Sequence, residues 1–318
     1  MSVLAVSLGG LGGTQFWIGV GVIAGVYGIF TLGLQLNVGY TGIYNFGQVG
    51  FMAIGAYAMG ILVVKAHLSF WAALPLATLL AVAAGMLIGL PSLRLRADYF
   101  AIATIAFAEI VRYVAQNARG LTGGNQGLLG FDSTWTSISN SISSALSLGP
   151  DLYLVPLLIV TWVLFLVLTF GMRALQLTPW FRVLRGIRED EDAVRALGKN
   201  PFPYKLQSLA IASVLGALSG WLLALDLAFL NPTEFVSAFT FIGYAMLILG
   251  GLASFPGVIV GAVIIQFLLE ATRSIDLPLS GDKIAALRFI IVGLALILLM
   301  AFRPQGIFGK REEMVLGE

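Results

Sequence analysis

The stretch that decides the fold is FWIGVGVIAGVYGIFTLGLQL, residues Phe16–Leu36, because it contains no charged residue. A helix rises about 1.5 Å per residue, so roughly 20 apolar residues cross the hydrocarbon core of a bilayer. Runs of this kind are long and lack strict period-two alternation, which favours helices over barrel strands. They recur near residues 16–36, 47–64, 70–91, 97–116, 151–171, 206–229, 236–252, 257–272 and 284–302.

These runs predict an all-α, polytopic inner-membrane helix bundle with about nine hydrophobic segments, within a range of eight to ten. The segments near 47–64, 236–252 and 257–272 are short, so we expect some of them to be tilted, broken or re-entrant. Such interruptions are tolerated only inside a protein bundle. The connections at 117–150 and 172–205 are too short for separate domains, so residues 1–318 form one membrane domain.

The composition excludes several classes of protein. Apolar residues make up 58% of the 318 residues, charged residues only 11%, and the mean hydropathy is +0.94. A soluble domain has about 25% charged residues, so this chain could not cover a water-facing surface. Basic residues are dispersed between apolar runs, which argues against nucleic-acid binding. The absence of cysteine excludes disulfides, thiolate metal sites and cysteine catalysis.

The orientation follows from the basic residues. An alternating arrangement of the segments places Arg94, Arg96, the basic residues of 172–205 and those of the C-terminal tail on one side, which is about two thirds of the 18 Lys and Arg. The positive-inside rule makes that side cytoplasmic, with the N-terminus outside and the C-terminus inside. The loop at 117–150 is then external. The first basic residue is Lys65, so we expect the first segment to be retained rather than cleaved as a signal.

No catalytic constellation is visible. The single histidine, His67, lies at a predicted outer helix end, and no Ser/His/Asp set or HExxH spacing can be assembled. The chain has no GxxxxGK[ST] nucleotide loop, because the string at 306–310 lacks its spacing and its following Ser or Thr. We therefore expect no catalytic residue, metal site or bound cofactor in this chain. If ATP drives its function, another subunit binds the nucleotide.

The most informative connection is the charged loop at 172–205, predicted to be cytoplasmic. Its acidic run suits a helix N-terminus, Gly198 and Asn200-Pro201 suit a helix end, and Ala193, Val194 and Leu197 would share one face. The pattern predicts a short amphipathic helix, either an ordinary solvated loop helix or a docking helix for a cytosolic partner. The docking interpretation assigns the contact with this partner, which becomes ATPase coupling under the family resemblance described below, to Glu189, Asp190, Glu191, Asp192, Ala193, Leu197 and Gly198.

A polar, glycine-rich break separates the first two apolar segments. It is a candidate pathway lining or gate, and the alternative is a short cytoplasmic loop with helix caps. Glu109 lies roughly 16 Å along its helix from Asp98, near the middle of a bilayer, where Arg112 could pair with it. Glu109 is therefore either part of a structural ion pair or a polar element of the pathway. The candidate pathway residues are Asn37, Tyr40, Thr41, Asn45, Gln48 and Glu109.

The external loop contains a cluster of small and polar residues, Thr122, Gly123, Gly124 and Asn125. It could contact an external partner, which the family resemblance described next would make a solute-binding protein, or it could be a flexible turn cluster, as its Gly and Asn content already explains. Glycines at GxxxG spacing, such as Gly21/Gly25 and Gly216/Gly220, could bring helix backbones close together in lipid.

Several short stretches occur in one order along residues 30–310 and together form a specific pattern. They are Leu36-Asn37-Val38-Gly39-Tyr40-Thr41-Gly42, Asn45-Phe46-Gly47-Gln48, Ile54-Gly55-Ala56-Tyr57, Leu93-Arg94-Leu95-Arg96-Ala97-Asp98-Tyr99, Phe107-Ala108-Glu109-Ile110, Leu121-Thr122-Gly123-Gly124-Asn125-Gln126-Gly127, Arg188-Glu189-Asp190-Glu191, Gly250-Gly251-Leu252 and Arg303-Pro304-Gln305-Gly306-Ile307-Phe308-Gly309. In this pattern the chain resembles the branched-chain amino-acid-type ABC permeases, on the side of the larger of their two paired subunits. Asp192-Ala193-Val194 with Gly198 also resembles, in part, the Glu-Ala-Ala…Gly signature of ABC importer permeases.

The resemblance implies a set of partners and an activity. The partners would be a second homologous permease subunit, two cytosolic ATPases that carry ATP and magnesium, and a solute-binding protein outside the membrane. The activity would be import by alternating access. Gln48 stands where the family often has histidine, so the solute could be a branched-chain or other neutral amino acid, or else urea or a short amide. The rivals from other classes are an ion-coupled secondary transporter or channel that uses Glu109, and a purely structural membrane subunit.

Overall fold

A computed structural model of the protein describes residues 13–149, 152–273 and 305–309, together with residues 290, 293, 294 and 297. Throughout these residues the chain is helical, apart from turns and one isolated antiparallel bridge between Leu128 and Leu230. Every apolar segment predicted up to residue 272 coincides with a helix. The segment predicted near 284–302 falls almost entirely outside the described residues, so the count of nine stays a prediction.

The helices are numbered here in chain order. Within the described part of the chain, α1 with its extension, α3, α7 and α10 are long and apolar enough to cross a membrane, and α2, α11 and α12 are shorter apolar helices. The bounds are α1 Thr14–Leu34, extended by a π-helix over Gln35–Thr41, α2 Gln48–Val64, α3 Phe70–Ser92, α4 Ala97–Asn117, α5 Arg119–Thr122, α6 Ser133–Ala145, α7 Val155–Leu175, α8 Pro179–Glu189, α9 Glu191–Ala196, α10 Pro201–Leu227, α11 Ala238–Gly250 and α12 Phe255–Arg273.

Two antiparallel helices, α1 and α10, form the centre of the bundle. Both are largely buried, as expected for helices that are apolar on all sides. The end of the α1 extension meets the start of α10, where the hydroxyls of Thr41 and Ser208 lie 2.8 Å apart. The helix α3 packs on α10, and α12 and α7 pack on α1.

Small residues let the central helices approach closely, as the GxxxG spacings predict. A Cβ added to Gly220 in α10 would lie 2.1 Å from the carbonyl oxygen of Met52 in α2. Across the other central helix, a Cβ on Gly25 would lie 2.6 Å from the side chain of Thr161 in α7. Both distances are shorter than any normal contact, so glycine is required where these helices cross.

The two short helices α2 and α11 both begin near the middle of the bundle. Gln48, the first residue of α2, donates from Nε2 to the carbonyl of Ala212 halfway along α10, and α2 then runs parallel to α10. The helix α11 begins beside the middle of α1, where the Tyr27 and Phe239 rings lie 6.1 Å apart, and then runs parallel to α1. Because α1 and α10 are antiparallel, α2 and α11 lead from the centre to opposite ends of the bundle.

The triplets α1-α2-α3 and α10-α11-α12 therefore have the same order with opposite direction. Each consists of a long central helix, a break, a half-length helix and a returning helix. This is the arrangement of an inverted-topology repeat. The similar strings at 54–59, IGAYAM, and 242–246, IGYAM, lie in the two corresponding half-helices.

The two long connections contain more structure than the sequence predicted. The loop at 117–150 includes α5 and the 13-residue helix α6. The loop at 172–205 contains two helices rather than one, because α8 precedes the predicted short helix, α9. We call the end of the bundle that holds α8, α9 and the start of α10 the basic end.

Candidate functional site

The predicted break between the first two segments is a π-helix followed by an irregular return. The π-helix continues α1 over Gln35–Thr41 and ends at Gly42, whose φ of 75° lies in the left-handed region. Helices of this kind are rare and occur frequently at functional sites. Residues 42–47 then lead back from the basic end to the middle of the bundle, where α2 begins.

Four of the predicted pathway residues are buried in two hydrogen-bonded groups that meet α10 one helical turn apart, at Ser208 and Ala212, here together called the polar cluster. This cluster consists of Asn37, Thr41, Asn45, Gln48 and, from α10, Ser208, and each side chain is at most 1% exposed. Ser208 Oγ donates to Asn37 Oδ1 at 3.0 Å, and Asn45 Nδ2 donates to Gln48 Oε1 at 3.1 Å. Tertiary packing buries these side chains between α1, α2 and α10. The choice between a pathway lining and a short cytoplasmic loop with helix caps stays a prediction.

One group of the polar cluster has no hydrogen-bond partner in the described part of the chain. Asn37 Nδ2 is buried and makes no hydrogen bond with any described residue. Leaving a buried donor unsatisfied costs about 1–3 kcal/mol. An ordered water, or a second arrangement of this region, would satisfy it.

The starts of the two half-helices meet beside the polar cluster. Val49 N in α2 donates to Thr240 Oγ1 in α11 at 3.2 Å, and Tyr244 OH donates to the carbonyl of Asn45 at 2.9 Å. The Phe46 ring stacks on Tyr244 at 4.6 Å between centroids and packs on Phe241 at 5.2 Å. Helix N-termini carry partial positive charge, so this junction offers an electropositive spot beside an aromatic surface. Such a pair of features suits a carboxylate and an apolar side chain.

Tyr40, another predicted pathway residue, lies instead at a meeting point of segments near the basic end. Its hydroxyl donates to the carbonyl of Ala253 at 2.8 Å and accepts from Gln176 Nε2 at 2.6 Å. Its ring packs edge-on against Phe181 of α8, at 4.6 Å between centroids. Tyr40 therefore joins the π-helix to α7, α8 and the turn that precedes α12.

We call α8 and α9, together with Leu197 and Gly198, the α8–α9 segment. Each of its two helices begins at a side-chain cap. Thr178 caps α8, and Asp190 Oδ1 caps α9 by accepting from the backbone N–H of Asp192 at 2.9 Å and of Ala193 at 3.0 Å. The acidic run is thus divided, since Glu189 is the last residue of α8. This corrects the prediction that residues 189–192 all begin one helix.

The predicted shared apolar face of α9 is also wrong. Val194 is buried, whereas Ala193 is exposed and Leu197 is 82% exposed. The helix is only six residues long, and Val194 packs inwards near Gly186 of α8. Leu197 and Gly198, whose φ is 78°, therefore form an open tip at the basic end.

Ionic contacts fix the α8–α9 segment to the centre of the bundle. The guanidinium of Arg188 donates to the carbonyl of Gly39 in the π-helix, and Lys205 Nζ of α10 pairs with Glu191. Arg195 also pairs with Glu191, at 2.7 Å, and with Asp192, at 3.0 Å. The segment thus contacts both α10 and the extension of α1.

A pocket of about 200 Å³ opens beside these contacts. Its lining includes Thr41 of the polar cluster, Tyr44, Arg96, Glu191 and Lys205. The pocket therefore leads from the surface of the basic end to the edge of the buried polar cluster.

Glu109 forms the ion pair that its spacing predicts. Its carboxylate lies 2.7 Å from the Arg112 guanidinium, and it accepts a hydrogen bond from Ser237 Oγ at 2.6 Å. The side chain of Glu109 is 32% exposed and that of Arg112 is 17% exposed, so the ion pair is only partly enclosed. Ser237 immediately precedes α11, which means that the pair fixes α4 to the start of one half-helix. The structural interpretation of Glu109 therefore has a geometric basis.

The residues predicted to contact a solute-binding protein form an ordered turn. Thr122 Oγ1 donates to the carbonyls of Ala115 and Ala118, and Gly123 and Gly124 both have positive φ. Asn231 Nδ2 donates to the carbonyl of Asn125 at 3.2 Å. The turn is thus attached to the segment before α11, and its contact with a partner stays a prediction.

The apolar bundle, its two half-helices and the helical segment at its basic end define a class, the multi-pass membrane permeases. The chain belongs to the family described as branched-chain amino acid transport system / permease component, whose family model matches residues 17–300. Members of this family are permease components of ABC transporters and are not themselves catalytic.

Curated relatives agree with this assignment. The chain is 35% identical to the high-affinity branched-chain amino acid transport system permease protein LivM of Escherichia coli over 302 residues, which cover 89% of this chain and 67% of the relative. LivM of Salmonella typhimurium gives the same identity and coverage. A probable branched-chain amino acid transport permease protein LivM of Methanocaldococcus jannaschii is 26% identical, with 90% and 91% of the two chains covered. No solved structure matches.

Proposed function

We propose that this chain is the transmembrane permease subunit of an ATP-driven importer for branched-chain or other neutral amino acids. It would work by alternating access, with ATP and magnesium bound by two partner ATPases. In the proposed orientation the basic end is cytoplasmic, the N-terminus is outside and the C-terminus is inside. The relatives named above are described as branched-chain amino acid permeases, and this supports the choice of solute.

The observation that carries the proposal is the direct attachment of the α8–α9 segment to the centre of the bundle. Its tip, Leu197 and Gly198, is open to a partner. Elsewhere in this segment, Arg188 donates a hydrogen bond to the π-helix, and Glu191 forms an ion pair with Lys205 of α10. A movement imposed on the tip by closing ATPases would therefore reach both central helices without an intervening loop. The ATPases would thus shift the balance between outward-open and inward-open states.

The proposed pathway passes the half-helix junction and the polar cluster. The starts of α2 and α11 would face the solute carboxylate, and the rings of Phe46 and Phe241 would face its apolar side chain. Urea and short amides have neither group, so this junction favours a neutral amino acid. The pocket beside Thr41 would be the exit towards the basic end.

Membership of the permease family supports the remaining partners of the proposal. A second homologous permease subunit would complete the membrane part, and a solute-binding protein would contact the turn Thr122–Asn125 at the opposite end. The ion-coupled alternative needs a titrating group in the membrane. Glu109 is a poor candidate for that role, because Arg112 and Ser237 already bind its carboxylate.

The test is uptake in proteoliposomes that contain the chain with its co-purified partners. We expect leucine uptake to require ATP, to be inhibited by excess valine and to be unaffected by urea. Leu197→Asp and Gly198→Asp should abolish uptake while ATP hydrolysis continues. Leu146→Asp, a matched change of an exposed leucine in the loop at the opposite end, should have no effect. Uptake driven by an ion gradient without any ATPase, or unchanged by both tip variants, would exclude the proposed coupling.

A further inference from the structure

A second pocket at the basic end takes no part in the function proposed above. It has a volume of about 350 Å³ and lies between the end of α7, the middle of α8 and the start of α12. Its polar lining includes Arg173, Gln176, Arg185 and Ser254, and Phe255 and Phe308 contribute apolar surface. It is distinct from the pocket beside Thr41, with which it shares no lining residue.

The charge of this pocket is positive and uncompensated within the described part of the chain. Arg173 lies in the last turn of α7, and Arg185 lies in α8. No carboxylate among the described residues pairs with either guanidinium. Two arginines from different helices that line one concave site favour an anion with several oxygen acceptors, such as a phosphate group.

The pocket wall holds one of these arginines in position. The Arg185 guanidinium lies 5.6 Å from the centroids of both the Tyr40 and the Phe181 rings. Contact with an aromatic face orients a guanidinium while leaving its N–H groups available. Below it, Gln176 Nε2 donates to Tyr40 OH, so the floor of the pocket is part of the hydrogen-bonded junction around Tyr40.

Beside the pocket, α7 carries an exposed apolar stripe. Along α7, Val163, Val167 and Phe170 recur at helical spacing, are all more than half exposed and lead to Arg173. At the pocket itself, Phe308 is 48% exposed. In a multi-pass membrane protein a bilayer covers such a stripe, which would bring lipid chains alongside α7 and their headgroups to the level of Arg173.

We propose that this pocket binds the phosphate of an anionic phospholipid headgroup, with Arg173 and Arg185 as its ligands and the α7 stripe against its acyl chains. Free phosphate shares the headgroup chemistry, but it would make no use of the stripe. Because Arg185 and Gln176 both contact Tyr40, the lipid would also stabilise the junction of the π-helix with α7 and α8. This lipid site is independent of the solute that the permease transports.

The test is native mass spectrometry of the purified chain, with any co-purifying subunits, in detergent. The probes are dioleoyl phosphatidylglycerol, dioleoyl phosphatidylcholine and inorganic phosphate. We expect preferential retention of phosphatidylglycerol. The double variant Arg173→Gln, Arg185→Gln should reduce this retention by about tenfold or more, since it removes both charge-assisted hydrogen bonds to the phosphate.

Two further variants make the result specific. Arg182→Gln removes an exposed arginine of α8 that does not line the pocket, and it should retain the lipid as the unmodified chain does. Gel filtration would reveal whether the glutamine pair impairs folding. The pair Arg173→Lys, Arg185→Lys keeps both positive charges, and it should retain part of the lipid that the glutamine pair loses. Equal retention of the two lipids, or equal losses in the Arg182 and double variants, would overturn the proposal. Displacement of the lipid by millimolar inorganic phosphate would show that the pocket binds free phosphate rather than a phospholipid.

Discussion

The guanidinium of Arg188, at the end of α8, donates a hydrogen bond to the backbone carbonyl of Gly39 in the π-helix. These residues are far apart in sequence, and their contact joins the surface segment at the basic end to the extension of a central helix. A Cβ on Gly42, which ends the π-helix, would lie 3.2 Å from Cα of Arg188, so the two backbones are also in close contact. The proposed coupling depends on this attachment.

Replacing Arg188 tests the attachment directly. In Arg188→Gln the charge-assisted bond to Gly39 is lost, and such a bond contributes about 1.5–3 kcal/mol. We expect ATP hydrolysis by the assembled transporter to continue while leucine uptake falls about tenfold. Arg182→Gln, an exposed arginine of the same helix, serves as the matched control. Parallel loss of hydrolysis and uptake would indicate failed assembly rather than lost coupling.

Tyr40→Phe should lower stability without changing the packing of the ring. The substitution removes the hydroxyl that bonds to the Ala253 carbonyl and to Gln176 Nε2. Losing these bonds should lower the free energy of unfolding by about 1–3 kcal/mol. Thermal denaturation in detergent measures the effect, and Tyr153→Phe, at an exposed position, should leave the midpoint unchanged. An unchanged midpoint for Tyr40→Phe would mean that the hydroxyl makes no net contribution.

Two glycine-to-alanine changes should have opposite effects. Gly220→Ala places a Cβ 2.1 Å from the Met52 carbonyl oxygen, so α2 and α10 must separate. This should lower the free energy of unfolding by about 1–3 kcal/mol. Gly171→Ala in α7 meets no atom within 4 Å and should stabilise its helix by about 0.5–1 kcal/mol. Thermal midpoints of the two proteins in the same detergent provide the comparison. If both changes were neutral, the close crossing of α2 and α10 would be wrong.

Glu109→Gln distinguishes a structural pair from an ion-binding site. Glutamine can still accept from Ser237, and a partly exposed ion pair contributes only about 0.2–1 kcal/mol. We expect ATP-driven uptake to stay within about twofold of the unmodified transporter. Complete loss of uptake in a correctly assembled complex would favour an ion-coupled role for this carboxylate.

Apolar runs were sufficient to predict the membrane helices that the structure describes, because about 20 consecutive apolar residues leave few other structures possible. The half-helices were predicted only as short segments, since the direction and depth of a helix depend on its partners. The strings IGAYAM at 54–59 and IGYAM at 242–246 were a usable signal for the inverted arrangement. That comparison becomes informative only when both strings are known to lie within half-helices.

The helix α8 could have been predicted. Phe181, Leu184 and Ile187 recur every three residues and are buried on one face, and Thr178-Pro179 is a typical helix start. The arginines between them made the segment appear to be a charged loop. The α6 helix was hidden similarly by its serines.

The π-helix and the burial of the polar cluster could not be predicted from local sequence. A seven-residue π-helix is held by tertiary contacts such as Arg188 with Gly39 and Thr41 with Ser208. The same amide and hydroxyl side chains would be equally acceptable in a solvated loop. Their positions between α1, α2 and α10 depend on residues more than a hundred positions away in the chain.

The meeting of the α2 and α11 starts has a consequence for ions that are not transported. Two helix N-termini at mid-depth place partial positive charge of the same sign at one point, where low dielectric leaves it poorly screened. A sodium ion or a proton that entered this point would meet electrostatic repulsion, while a zwitterion could present its negative end. The junction would therefore resist cation leak during each transport cycle, so that the membrane keeps its electrical potential while solute crosses.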